Sequence, residues 1–228
     1  MAGCWVKPLA ALYDAEEWDC ARTKSNGTFT LSNDCSITGG HVDVTNTLEI
    51  NGTINQHLTT IDKNTELVTI TAATNQRHFY VNGEKAKLTL HYVKLVGGDV
   101  DSYSISNSPD FRGGSICIYT NGGELNLYSS IVFNNKAKSG GGIMPYGDSS
   151  TNKNAIMNIY NSIIHNNTAT NQGGGILIGD AVVTIKNTKI YNNQASSEGG
   201  GMAIFDSDVT MKNINISNND GYNGGGLY

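Results

Sequence analysis

From Leu88 onward the chain is written in short runs in which apolar and polar residues alternate. The stretch that begins at Gly173 holds three of them: Gly175-Ile176-Leu177-Ile178, Val183-Thr184-Ile185-Lys186-Asn187 and Thr188-Lys189-Ile190-Tyr191-Asn192. Alternation over a few residues predicts half-buried β-strands, because successive strand side chains point to opposite faces. A helix would require a 3.6-residue period, and the glycine and β-branched content opposes one.

The runs repeat. Asn-Asn stands at residues 134–135, 166–167, 192–193 and 218–219, and Gly-Gly-Gly follows at 140–142, 173–175, 199–201 and 224–226. The later spacings are 26 residues. Aligned on Asn-Asn, every inward column is apolar: Ile116, Ile143, Ile176, Met202 and Leu227 in the first strand, Leu125, Met157, Val183 and Val209 in the second, Val132, Ile164, Ile190 and Ile216 in the third. A repeat of this length with three strands per coil predicts an all-β, right-handed, single-stranded parallel β-helix, a solenoid, since parallel crossovers are almost always right-handed. Coils would lie about 4.8 Å apart, and roughly eight of them would make a rod about 40 Å long.

Asn134, Asn166, Asn192 and Asn218, at the end of the third strand, and Asn161, Asn187 and Asn213, at the corner before it, recur in register. An inward amide at a corner needs a partner, and the equivalent amide one coil away supplies it, so these seven are predicted to form Asn ladders. The glycine runs are predicted to turn the corner into the first strand. Residues 1–35 differ. They are read as an N-terminal cap, with a short helix over Leu12 to Ala21 covering the open edge of the first coil. Residues 36–228 are read as coils, regular from about residue 88. The array has no visible C-terminal cap, so further coils or a capping partner are expected beyond the last motif.

Composition narrows the class. The chain is 38% hydrophobic and 15% charged, with net charge −5 and no basic run. No nucleic-acid partner is expected, because phosphate binding needs a basic patch. No apolar run is long enough to span a bilayer, and no secretory leader reads in the first residues. Of the four cysteines, Cys20 and Cys35 flank turn signals and are predicted to form a disulfide in an oxidising compartment. Asn26, Asn51 and Asn215 lie in sequons and are candidate glycosylation sites. Asn166 also lies in one, but its predicted inward direction disfavours it.

The pattern Gly-Gly-x-Ile, with segments ending like Phe-x-Asn, resembles the polymorphic outer-membrane-protein repeat over roughly residues 113–228. Phe133-Asn134-Asn135 with Gly141-Gly142-Ile143 is the nearest unit, while His165, Tyr191 and Ser217 stand where that family prefers Phe. Leu88-Thr89-Leu90 through Leu95-Val96-Gly97-Gly98 resembles the first regular coils of pectate-lyase-like right-handed β-helices. The first resemblance implies surface adhesins and passenger domains; the wider superfamily includes polysaccharide lyases and hydrolases.

Candidate chemistry is sparse. Asp180 and Asp206 align one coil apart with Asp208 nearby, and such carboxylates are what a polysaccharide enzyme or a Ca²⁺ site would use. Turn aspartates favour the same corners for backbone reasons. The five histidines form no spaced cluster, no metal site is expected, and no cofactor other than Ca²⁺ is suggested. Tyr119, Met144, Tyr146, Leu177 and Phe205, with Phe133 and Tyr191, are predicted to point outward in stripes that form a binding surface for a polysaccharide or a surface protein. The first functional reading is a non-catalytic extracellular or cell-surface β-helix: an adhesin, a contacting rod or a spacer. The alternative is a polysaccharide lyase or glycoside hydrolase of the pectate-lyase-like superfamily.

Overall fold

The computed structural model describes residues 16–20, 25–54, 60–101, 111–119, 122–148 and 153–228. Among them the chain is all-β, without a helix, and its strands assemble into four sheets of eight, six, seven and four strands. All the strand pairs are parallel, and each strand pairs with its equivalent in the neighbouring coil. Leu88 and Leu90, in the strand Lys87–His91, stand between Leu48 and Ile50 on one side and Leu125 and Leu127 on the other. One coil of this solenoid runs through Ile176–Gly179, Ala181–Lys186, Lys189–Tyr191 and Gln194–Glu198, one strand in each sheet.

The fourth sheet is an addition to the three strands predicted per coil. It comprises Lys136–Ala137, Thr168–Ala169, Gln194–Glu198 and Asp220–Asn223. Its inward residues Ala137, Ala169 and Ala195 are small and buried. The other inward columns are larger: Ile116, Ile143, Ile176 and Met202 are fully buried, as are Val132, Ile164 and Ile190. Each such side chain contributes about 1.5–3 kcal/mol by leaving water. In the last coil Val209, Met211, Ile214 and Ile216 are only partly buried.

The N-terminal helix expected over Leu12 to Ala21 is corrected where it can be seen. Glu16–Glu17 is a strand, paired in parallel with Phe29–Thr30. The Glu17 carboxylate accepts from the Ser32 N–H at 2.8 Å, and Trp18 is buried against Phe79. Strand pairing and one buried indole outweigh the local helical pattern. Residues 12–15 and 21–24 lie outside the described residues. Cys20 and Cys35 are joined by a disulfide.

The corners explain the asparagines, and they move the buried ladder by one residue. Asn134, Asn166, Asn192 and Asn218 are exposed and adopt φ of 52–55°. Asn tolerates this left-handed conformation better than other residues with a Cβ. The following residues, Asn135, Asn167, Asn193 and Asn219, turn inward. Asn167 Nδ2 donates to Asn193 Oδ1 at 3.0 Å and to Val132 O at 3.1 Å. The Asn193 oxygen also accepts the Asn167 backbone N–H at 3.0 Å. Every donor and acceptor of the buried amide is therefore engaged, as a low-dielectric interior requires. Asn161, Asn187 and Asn213 also have φ above 50°, but their ladder lies on the outside: Asn187 Nδ2 reaches Asn161 Oδ1 at 3.1 Å, and Asn213 Nδ2 reaches Asn187 Oδ1 at 3.1 Å.

A hydroxyl ladder accompanies them. Ser130, Ser162 and Thr188 are buried; each donates to the carbonyl two residues back and accepts a backbone N–H from the preceding coil. At the glycine corner, Gly173 has φ 64°, and a Cβ on Gly174 would lie 2.3 Å from Gly200 O. The coils approach too closely there for any side chain.

Candidate functional site

The carboxylates singled out by the sequence sit at turns. Asp180 and Asp206 have φ of 46° and 44°, at the corner between the strands Ile176–Gly179 and Ala181–Lys186 and at its equivalent one coil on. The Asp180 N–H donates to Phe205 O, and its carbonyl accepts the Ala155 N–H, both at 3.3 Å. The positions thus suit Asp because it tolerates left-handed backbone at a tight corner. Asp208 is exposed on the outer face of the eight-stranded sheet, in register with Val182. Among the described residues no group of three or more His, Cys, Asp or Glu could hold a metal ion.

The predicted apolar stripe is largely covered. Met144 and Leu177 point away from the coil interior but are buried, with Cys117 and Ala203, beneath the flanking rings of Tyr119, Tyr146 and Phe205. The glycine corners fold back over this column. A Cβ on Gly140 would lie 2.8 Å from Met144 Cβ, and one on Gly173 2.8 Å from Leu177 Cα. Met144 and Leu177 are therefore no part of an exposed surface, whereas the rings beside them are half-exposed. Tyr119 and Tyr146 stack at 5.9 Å, with the Arg112 guanidinium 5.2 and 5.3 Å from the two ring centres.

Phe133 and Tyr191 belong to a second column, with His165 between them. The ring centroids are 4.6 and 4.9 Å apart, and Lys94 Nζ lies 4.9 Å from the Phe133 ring centre. The neighbouring outward residues Ile131 and Ile163 are buried under Ile61 and Leu67. A third column escaped the sequence reading: His91, Tyr128 and Tyr160 stack at 4.6 and 5.4 Å, nearly parallel, with Lys186 beyond Tyr160 at 5.7 Å. Its signal was present, since Tyr128 and Tyr160 each sit one residue past an inward apolar position in aligned strands.

These columns share one geometry. Each ring lies against the ring one coil away, and a cation stands near each column. Ring faces that are stacked on one another are not free for sugar stacking; edges and phenolic hydroxyls remain. A groove of about 830 Å³ opens beside the second column, lined in part by Asp34, Thr53, Lys63, Glu66, Leu67 and Lys94.

The histidines serve different ends. His78 is fully buried; its Nε2–H is shared between Ile70 O at 3.0 Å and Val96 O at 3.1 Å, and its Nδ1 accepts from Ser115 Oγ at 3.1 Å. Burial pushes it down to about 4. Burial also lowers His91 and His165. His57 lies outside the described residues. Of the sequon asparagines, Asn26 and Asn215 are exposed, and Asn51 is half-buried with its amide donating to Glu49 at 3.1 Å. Asn166, predicted to point inward, is exposed because the corner turns it out.

No family model, curated protein or solved structure matches the chain. No helix among the described residues is long and apolar enough to cross a membrane.

Proposed function

We propose that the chain is a right-handed parallel β-helix that works without catalysis, as an extracellular or cell-surface rod contacting a polysaccharide or a surface protein along its sides. The observation that carries this reading is the set of outward aromatic columns repeated at the coil spacing, above all His91–Tyr128–Tyr160. Rings stacked face to face turn their edges outward, so an extended ligand lying along the rod would meet one aromatic edge or phenol per coil. Right-handedness follows the strong preference of parallel crossovers. The Cys20–Cys35 disulfide supports an oxidising compartment.

The experiment is a binding screen of the purified chain against immobilised polysaccharides and extracellular-matrix proteins. Saturable binding that is lost in a Tyr128→Ala/Tyr160→Ala double variant supports the reading; no binding by any ligand defeats side-face contact. The lyase or hydrolase reading draws on the alignment of Asp180 with Asp206 one coil apart. Release of unsaturated products from pectin or alginate, abolished by Asp180→Asn or Asp206→Asn, would overturn the non-catalytic assignment.

A further inference from the structure

His165 is an unusual member of its column. It is 8% exposed, and its two ring faces are covered by Phe133 and Tyr191. Its Nδ1 lies 3.0 Å from Asn166 Oδ1, which can only accept, so the proton of the neutral ring sits on Nδ1. That leaves Nε2 as a bare lone pair, buried and without a hydrogen-bond partner. A neutral imidazole tolerates this. A protonated one does not, because a second N–H would then be enclosed without an acceptor.

The enclosure is completed by a segment from far away in sequence. Residues 60–67 leave the early coils and bring Ile61 and Leu67 onto Ile131 and Ile163, which flank the column. The segment is locally braced: Asp62 N–H donates to Thr65 Oγ1 at 2.8 Å, and Asn64 N–H to Asp62 Oδ1 at 2.9 Å. Its charged groups are Asp62, Lys63 and Glu66, and the sheet beneath contributes Lys94 and Lys189. The charges that bear on His165 are Lys94 and Lys63, both cationic, while Asp62 acts on Tyr191. Protonation would therefore add a third positive charge to these two.

We propose that residues 60–67 form an acid-released flap: neutral His165 lets the flap close over the outer face of the seven-stranded sheet, and protonation of His165 opens it. Opening uncovers Ile131, Ile163 and His165, between the already half-exposed rings of Phe133 and Tyr191, so apolar surface covered near neutral pH becomes available in acid. The inference is independent of which ligand the rod binds.

The test is amide hydrogen exchange, expressed as protection factors, from about pH 7.5 to about pH 4.5, either side of the ordinary histidine range. Protection over residues 60–67 falls roughly tenfold or more in the wild-type chain, while residues 176–191 keep theirs. In His165→Phe, which places at this position the ring already present at Phe133, the flap stays protected at both pH values. In Lys63→Gln, with one repulsive cation removed, the protonated ring is better tolerated under the closed flap, so opening shifts to lower pH. Unchanged wild-type protection on acidification, or equal loss in wild type and His165→Phe, would overturn the flap. Should His165→Phe fail to fold, an unmoved opening midpoint in Lys63→Gln overturns it alone.

Discussion

The coils after residue 113 and the region before residue 101 keep the same sheets in register by different means. In the later coils one solution is repeated: Asn135, Asn167, Asn193 and Asn219 form one buried ladder, Ser130, Ser162 and Thr188 another, and the glycine corners stack backbone on backbone. The earlier region uses devices that occur once. Trp18 packs against Phe79, Cys20 is bonded to Cys35, and His78 ties the carbonyls of Ile70 and Val96 to the Ser115 hydroxyl. A repeated ladder distributes stability over nearest neighbours, whereas a unique contact concentrates it. Breaking one device of each kind therefore separates the two regions.

The largest effect is expected at Trp18. Trp18→Ala removes a 1%-exposed indole and should cost about 3–5 kcal/mol. The loss should appear as lowered exchange protection in the strands before residue 101, with residues 176–216 little changed. Opening the Cys20–Cys35 bridge, which closes a separation of 15 residues, should cost about 3 kcal/mol in the same region. Urea unfolding of a Cys20→Ser/Cys35→Ser variant measures it, and an unshifted midpoint would show that the bridge holds nothing.

Acidification probes His78. Its native value of about 4 lies below the ordinary 6.5, so the unfolded chain takes up the proton first as pH falls. The stabilisation is fully present above about pH 6.5, declines between 6.5 and 4, and is exhausted below. The whole difference is worth roughly 3 kcal/mol. His91 and His165, also lowered, act in the same direction. A urea midpoint that stays level through this window would refute the role given to His78. The smallest effect belongs to the exposed ladder: Asn187→Gly, which keeps the left-handed corner at φ 51°, should change stability by about 0.5 kcal/mol or less.

Much of the fold was legible because strand alternation acts locally. Ile176, Ile185 and Ile190 could be placed inward from their own neighbours, and pairing then followed from the repeat. The register of the buried asparagine was not legible, because Asn-Asn gives two identical residues with different tasks. The first takes the left-handed corner, and the backbone turn delivers the second inward. The fourth sheet was missed because two residues, such as Thr168–Ala169, are too few to show alternation. The segment 60–67 was missed because Ile61 and Leu67 find their partners at Ile131 and Ile163, far along the chain. The outward column His91–Tyr128–Tyr160 was present in the alignment, but its stacking geometry was not. The aspartates at 180 and 206 were legible as a pair, whereas their backbone conformation required the structure.

The second asparagine of each pair holds the coils together, while the first only turns the corner. Urea unfolding of Asn192→Gly beside Asn193→Ala tests it directly. Glycine accepts φ 53° at residue 192 without strain, so Asn192→Gly should stay within about 0.5 kcal/mol of wild type. Asn193→Ala strands the Asn167 amide and its backbone N–H in the interior and should cost roughly 3–5 kcal/mol. Equal losses in the two variants, or a larger loss at Asn192, would contradict the account.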